Sequence, residues 1–282
     1  MIARASAVPI SGLILVAPAL LLVGAMFVVP FAVSIHSAFT SPAGAPTLAN
    51  FAKAFELYSG DMAFTLLIVG LSTILISLAS IAIAGTLTLG ETPWLVTTLA
   101  WLYRWPLFIP FIVAAQCMRT FLAKNGLMNN SFVAIGVLDP ASTQSFLDWR
   151  GIVLTFTWKQ TPFVALLLAG AMASLDRATI EAARNLGASR LRVLIEIVLP
   201  QVSRTLLVGL VLSFVTMLSV LSVPLMVAGS QPTMLTVDMA FRINSYSDYH
   251  TANALGVISY LMTAVAAWIY LRHTISEDRS QA

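Results

Sequence analysis

SLDRATIEAARNLGASRLRVLIEIVLP, residues 174–200, is a polar stretch between two long apolar segments of the chain. Asp176 is a residue type that caps helices, and residues 180–186 are mostly good helix formers. Gly187 permits a tight turn that a β-carbon would hinder. A second amphipathic helix follows, and Pro200 leads into the next apolar segment. The stretch is therefore predicted to form a short helix, a turn and a second helix.

Apolar segments flank this stretch and recur along the chain. A helix that crosses a membrane needs about 20 mostly apolar residues, because each backbone N–H and C=O in hydrocarbon must be bonded within the segment. The predicted spans are residues 10–34, 62–88, 106–123, 152–174, 205–228 and 251–271. The sequence therefore predicts an all-α integral membrane protein of six transmembrane helices. We expect one membrane domain over residues 1–282, with the polar loop at about 175–204, and a first span that is retained rather than cleaved.

Two connecting segments are harder to assign than the spans. Residues 36–60 carry two prolines and two glycines, and they are predicted to be an aqueous loop with a short amphipathic helix. Residues 94–105 are apolar but combine Trp101 and Trp105 with Arg104, which is typical of a membrane interface. We expect this second segment to lie along the cytoplasmic surface and to lead into the third span.

The composition supports a membrane protein and disfavours other classes. Hydrophobic residues make up 59% of the 282 residues and charged residues only 10%, far from the balance of an ordinary soluble domain. The 15 Lys and Arg are scattered among apolar segments, which disfavours a nucleic-acid partner. The single cysteine, Cys117, excludes an intramolecular disulfide and a cysteine-based metal site.

The basic residues also predict the orientation in the membrane. With both termini in the cytoplasm, nine fall inside and five outside, which is the expected bias. The inside set is Arg4, Arg104, Arg177, Arg184, Arg190, Arg192, Arg204, Arg272 and Arg279, and the outside set is Lys53, Arg119, Lys124, Arg150 and Arg242.

The polar loop resembles a known family motif. Its matching residues are Glu181, Ala182, Ala183, Gly187, Ile197, Leu199 and Pro200. Their spacing reproduces the EAA loop of bacterial ABC importer permeases. The resemblance implies a type I importer permease fold in the inner membrane, with the helix at 181–187 as a coupling helix seated in a cleft of an ATP-binding subunit. Arg184 and Arg190 would belong to the same coupling surface.

The resemblance also implies the partners of the chain. They would be two copies of the ATP-binding subunit, which hold ATP and Mg, a second permease subunit that is homologous or identical, and a periplasmic solute-binding protein. The run Asn185–Ser189 looks like the spermidine/putrescine, ferric-iron and aminophosphonate branch of the family. We therefore expect a polyamine-like or aminophosphonate-like solute, with a sugar-type permease as the alternative.

Polar residues inside the spans are candidates for the solute path. Lys159 lies inside the fourth span among polar neighbours; it either lines the path or is a lysine that snorkels or pairs structurally. The serines and threonine of the fifth span recur every third residue, and they either face a hydrated path or let another helix pack closely. The path candidates are Gln116, Lys159, Gln160, Thr161, Ser213, Thr216, Ser219 and Ser222.

The outer loop at 229–250 is dense in polar and aromatic residues, and residues 233–243 are predicted to form a short amphipathic helix. Its candidates for docking a binding protein are Asp238, Arg242, Tyr246 and Asp248. A solvated connector is the alternative interpretation.

No motif in the sequence indicates an enzyme. The chain has no Gly-Lys dipeptide, which excludes a phosphate-binding P-loop, and its three histidines lack metal-ligand spacing. We therefore expect no catalytic residue, no metal site and no cofactor on this chain, with ATP hydrolysed by a separate subunit. A secondary transporter is the rival class, but it would need ion-coupling groups inside the spans.

Overall fold

The computed structural model describes residues 10–228 and 232–280, and within these ranges the regular structure is helical with no strand. The predicted all-α fold is therefore confirmed. The helices are α1 (Ile10–Val23), α2 (Val29–Ala38), α3 (Ala49–Leu89), α4 (Pro93–Leu102), α5 (Phe111–Leu122), α6 (Leu127–Ala134), α7 (Trp149–Ala173), α8 (Arg177–Asn185), α9 (Arg190–Val193), α10 (Leu199–Ser219), α11 (Ser222–Val227), α12 (Leu235–Tyr246) and α13 (Tyr249–Ser280).

Five continuous helices in the described ranges are long and apolar enough to cross a membrane. They are Leu15–Ala38, Ala49–Leu89, Trp149–Ala173, Arg190–Ser219 and Tyr249–Trp268. A sixth span exists if Pro93–Phe108 and Phe111–Ala134, which meet at an angle of 109°, are counted as one broken span. The predicted number of six is reached only with this bent pair.

The helix that contains the second predicted span, 62–88, begins well before that span. The helix α3 starts at Ala49 and continues without interruption for 41 residues, so the amphipathic helix predicted within residues 36–60 is its first part. No proline lies between Pro46 and Pro93, and the helix has no reason to stop in this interval. The amphipathic helix predicted in this segment is present, but it runs into the second span without a break.

The third predicted span, 106–123, is not a continuous helix. Pro106 lies in a 3-10 turn, and α5 has only 12 residues. At 1.5 Å per residue such a helix is about 18 Å long, too short for a hydrocarbon core of about 30 Å. Pro110 begins the new helix as its N-cap, with an extended ψ of 148°, and this is where the pair bends.

The fifth predicted span, 205–228, also differs from the structure. Its helix ends at Ser219 because Val220 adopts an extended conformation, and α11 is a separate short helix that packs on α5 and α7. The short helix predicted at 233–243 is present as α12.

The described residues form two compact units. The first combines the chain up to Leu57 with Met239–Ile258, and the second combines Tyr58–Asp238 with the chain from Ser259 onward. The core of the second unit includes Ile68, Phe156 and Met217 in one buried cluster. Another cluster, around Leu168, Met172 and Val198, lies beneath the polar loop.

Candidate functional site

The first helix of the polar loop, α8, begins at a side-chain cap. The Asp176 carboxylate accepts a hydrogen bond of 2.9 Å from the Ala178 N–H, which satisfies one of the donors that a helix start leaves without a partner. The helix then runs from Arg177 to Asn185 and contains Glu181, Ala182 and Ala183.

Gly187 ends this helix in a left-handed turn, with φ of +87°. Its N–H donates to Arg184 O at 2.9 Å, and the Ala188 N–H donates to Ala183 O at 3.1 Å. These two bonds form the Schellman motif, which satisfies carbonyls at a helix end. No atom lies within 4 Å of where a Cβ at 187 would be, so the backbone angle alone favours glycine here.

The second helix of the loop contains one wide π turn, Leu194–Val198, which includes Ile197. The turn closes with a hydrogen bond from the Leu199 N–H to Leu194 O. Pro200 follows directly; it has no N–H, and its ring would clash with the carbonyl four residues earlier in a regular helix. The extra residue of the π turn accommodates this defect, so the helix continues from Arg190 to Ser219.

The loop has one packed face and one exposed face. The packed side chains are Ile180, Ala183 and Ala188, which contact the buried cluster below. Ala182 is exposed away from this face, Glu181 is exposed on the side that borders a cavity, and Leu186 at the tip of the turn is 89% exposed. The loop therefore presents the apolar Leu186 side chain on a turn closed by two backbone hydrogen bonds, a shape that fits a groove on a partner.

Arg184 and Arg190 both contact Glu91 of this chain. Arg184 lies in the last turn of α8 and Arg190 begins α9, and each donates to a different oxygen of the Glu91 carboxylate. Glu91 lies between α3 and α4 and is not among the site residues that the sequence predicts. The sequence did contain an indication of this role, because Glu91 is the only acidic residue between Asp61 and Asp139.

A cavity of 580 Å³ lies beside the loop. Its charged lining is Glu91, Arg104, Arg177, Glu181 and Arg184, and its apolar lining comes mainly from α3, α4 and α7. The inner edge of α8 thus borders an open space as well as the packed cluster.

Lys159 is buried, with 7% of its surface exposed. Its ammonium donates to Pro106 O at 2.7 Å and lies 5.0 Å from the centre of the Phe111 ring. Pro106 and Phe111 stand on either side of the break in the bent pair, so one cation contacts both parts. These contacts correspond to structural pairing; a role on the solute path stays a prediction.

Gln160 and Thr161 are buried beside Lys159 on α7. The Gln160 side-chain amide donates to Ser213 O on α10 at 3.4 Å, and Thr161 O accepts from the Ser80 hydroxyl on α3 at 3.2 Å. These polar groups join three helices. Gln116, by contrast, is exposed on α5 and lines a mostly apolar cavity of 600 Å³.

The hydroxyl residues predicted to share the fifth span do not lie on one helix. Ser213, Thr216 and Ser219 belong to α10, whereas Ser222 belongs to α11 beyond the break at Val220. The Thr216 hydroxyl donates to Leu212 O at 2.7 Å, and the Ser219 hydroxyl donates to Thr216 O at 2.9 Å. The prediction of a single stripe of four residues was wrong because the helix ends early.

Among the outer-loop candidates, Asp248 is a centre of contacts. Its carboxylate lies 2.6 Å from Lys53 Nζ and 3.5 Å from Arg242 Nη1, and it also accepts from the Thr251 N–H at 3.1 Å. Burial raises the pKa of Asp248, but the hydrogen bonds from Lys53 and Thr251 outweigh it and hold the pKa below its usual value. The Arg242 guanidinium also lies 5.0 Å from the Tyr246 ring centre.

Asp238 is buried in the second unit, with 3% of its surface exposed. Near it, two side chains of α3 fix the start of α12. Asp61 accepts from the Thr233 N–H at 2.9 Å, and Thr65 accepts from the Leu235 N–H at 3.1 Å. Asp61, just outside the predicted span 62–88, and Thr65, inside it, are not among the predicted site residues.

Comparison with known proteins identifies the family. Residues 3–273 match the family of the binding-protein-dependent transport system inner membrane component. The sulfoquinovosyl glycerol transport system permease protein SmoG of Agrobacterium fabrum is 26% identical, over 94% of this chain and 90% of SmoG. The spermidine/putrescine transport system permease protein PotB of Escherichia coli is 21% identical, over 59% of this chain and 62% of PotB.

Solved structures share the fold. A chain of a bacterial alginate ABC transporter, crystallised with an alginate pentasaccharide-bound periplasmic protein, superposes with a TM-score of 0.78 at 22% identity, over 93% of this chain and 94% of that one. A chain of the MetNI methionine ABC transporter gives 0.61 at 15% identity, over 79% and 96%. With the family match covering nearly the whole chain, this protein belongs to the binding-protein-dependent inner-membrane components and is a permease subunit of an ABC importer.

Proposed function

We propose that the loop at 175–204 couples this permease to a separate ATP-binding subunit, present in two copies, that holds ATP and Mg. The observation that supports this most directly is the shape of the loop. Its outer face carries Ala182 and the 89% exposed Leu186, with Glu181 exposed beside the cavity, while its inner face packs on the ends of the membrane helices. A force applied to the outer face would therefore reach those helices.

The rest of the importer follows from this coupling. Beside a second permease, homologous or identical, the chain forms the path for a small solute that a periplasmic binding protein delivers. Closure of the two ATPases moves the coupling helices together and rocks the membrane halves from inward-open to outward-open. Both termini and the loop face the cytoplasm in this arrangement, so the segment at 229–250 faces the binding protein.

Two solute classes are proposed. The run Asn185–Ser189 favours a polyamine-like or aminophosphonate-like solute, and PotB is a relative of that kind. The match to SmoG over most of the chain favours a sugar-like solute instead. Calorimetry of the cognate binding protein with spermidine, 2-aminoethylphosphonate and trehalose separates the classes: binding of trehalose alone would reject the first.

The substitution Gly187→Pro tests the coupling role. Proline fixes φ near −65°, whereas the turn requires +87°, so Leu186 is displaced while the spanning helices remain. We expect the variant to insert in the membrane normally but to lose ATP-dependent uptake by whole cells.

Gly136→Pro is the matched control, because Gly136 also has a positive φ, +75°, and lies outside the loop. This control should keep its uptake. Normal uptake by Gly187→Pro would remove the coupling assignment.

A further inference from the structure

The carboxylate of Glu91 accepts hydrogen bonds from both helices of the coupling loop, the polar loop at 175–204. One oxygen accepts from Arg184 at the end of α8 and the other from Arg190 at the start of α9. The Gly187 turn lies between these arginines, so Glu91 holds the turn from its two sides. Arg192, which is also in the loop, pairs locally with Glu196 at 2.9 Å and does not reach the 90–92 linker.

The linker that carries Glu91 is exposed, but its backbone at Gly90 lies close to both flanking helices. A Cβ at Gly90 would lie 2.4 Å from Thr86 O and 2.8 Å from Val96 Cγ2, so the backbone there passes directly against both flanking helices. One turn earlier, a Cβ at Gly85 would lie 2.8 Å from Leu194 Cδ2 in the π turn. The end of α3 therefore contacts the loop through apolar atoms, and Glu91 adds a charged contact at the rim.

The ion pairs of Glu91 with Arg184 and Arg190 bear on the orientation of the coupling loop more than on the stability of the protein. The side chains of Glu91, Arg184 and Arg190 are 52%, 39% and 51% exposed, and exposed ion pairs add little to the free energy of unfolding. The helix α8 packs on the cluster below through Ile180 and Ala183, and its charged residues Arg177, Glu181 and Arg184 line the 580 Å³ cavity. On this cavity side, two charge-assisted bonds to one carboxylate tie the loop to the linker.

Given the proposed coupling function, on which this inference rests, we propose that Glu91 is a positioning residue that makes the 90–92 linker and α4 follow the coupling loop. ATPase closure would push α8, and the Arg184–Glu91–Arg190 bridge would carry the movement to the start of α4. The bent pair that begins with α4 would thus receive the push directly, in addition to the helices that flank the loop.

The first test needs only the full chain in lipid nanodiscs. Spin labels at Ala178 on α8 and Thr97 on α4, both exposed positions, report the distance between the two elements in a Cys117→Ser background. We expect one narrow distance distribution in the parent protein and loss of that narrow peak in Glu91→Gln. The Glu91→Asp variant keeps the carboxylate and should largely restore it.

Glu196→Gln is the matched control, since it removes another exposed carboxylate from an arginine pair of the same loop. It should leave the distribution unchanged. A distribution in Glu91→Gln that is as narrow as that of Glu196→Gln would overturn the proposal.

The second test uses the complex with the ATPase and measures the shift in the same distance on vanadate trapping. We expect Glu91→Gln to reduce the shift by about twofold or more while the ATPase remains bound. An undiminished shift would overturn the role of Glu91 in transmission. Failure of the parent chain to bind any ATPase would instead reject the proposed function, whereas the nanodisc measurement would still decide whether Glu91 holds the loop.

Discussion

At the scale of single residues, Lys159 shows how a buried charge is used in this protein. Its ammonium is bound to a backbone carbonyl on one side of a helix break and faces an aromatic ring on the other. A charge inside a membrane protein is costly unless it is paired in this way. Lys159 therefore holds the two parts of the bent pair together, whether or not a solute also contacts it.

The substitution Lys159→Met separates these two roles. It keeps the length of the side chain but leaves Pro106 O without its donor, which costs about 1–3 kcal/mol of stability. We expect a lower melting temperature in a thermal-shift assay in detergent, with Lys124→Met, an exposed loop lysine, as the unchanged control. An unaltered melting temperature together with altered solute selectivity would instead indicate a path residue.

Asp248 gives a prediction about pH. Its pKa is lowered in the folded protein, so its contribution to stability is present above the unfolded pKa of about 3.9 and is lost as pH falls through the lower folded value. We expect Asp248→Asn to lower the melting temperature at pH 7 and to have a smaller effect at pH 3, which is below the unfolded pKa. An equal loss at both pH values would show that the charge of Asp248 is not what stabilises its contacts with Lys53 and Arg242.

At the scale of elements, proline and the π turn occur together twice. The turn Gly24–Val28 closes on Val29 and is followed by Pro30, just as Leu194–Val198 closes on Leu199 and is followed by Pro200. In both places a wide turn lets the helix continue past a residue that cannot donate a hydrogen bond. The proline of the coupling loop thus sets the rotation of α9 relative to α10.

Pro200→Ala tests this rotation. Alanine restores an N–H and favours a regular helix by about 3 kcal/mol relative to proline in a helix interior, so the π turn can close to an α turn. We expect an equal or higher melting temperature but reduced ATP-dependent uptake, because the loop is rotated. Pro30→Ala is the control for the same change at the other π turn, and equal uptake by both variants would contradict the role of this turn in coupling.

The sequence predicts the elements of this fold better than their ends. Periodicity and capping residues were enough to predict both ends of α8, because Asp176 caps its start and Gly187 forms the turn at its end. They were not enough for α10: Pro224 indicates a break near Val220, four residues earlier, but the separate helix α11 that follows packs on the distant elements α5 and α7. Long-range packing of this kind leaves no local pattern.

The same limit applies to the candidate site. The motif residues of the loop could be found because they are close in sequence. Glu91 could not be placed by spacing, since its partners are 93 and 99 residues away along the chain. A lone acid in a long apolar region, opposite a loop rich in arginine, was the only available indication.

At the scale of the whole molecule, many apolar side chains of the spanning helices face outward. In the span Leu15–Ala38 none of the apolar window is buried within the chain, and Leu15 and Phe27 are among its most exposed residues. A single water-soluble domain would not tolerate this exposure. Lipid covers such surfaces in a membrane, which agrees with the family of the chain, and the proposed second permease subunit would cover part of them.

The central claim is that this permease works through an ATPase seated on the loop at 175–204, and a pull-down tests it most directly. The full chain would be purified in detergent from its native host, and its bound proteins and ATPase activity would be measured. We predict a stoichiometric ATP-binding subunit that is lost in Glu181→Arg, which reverses a charge on the exposed face of α8, and retained in Glu56→Arg, which reverses an exposed charge near the start of α3. A folded chain that is recovered alone, without ATPase activity, would contradict the account.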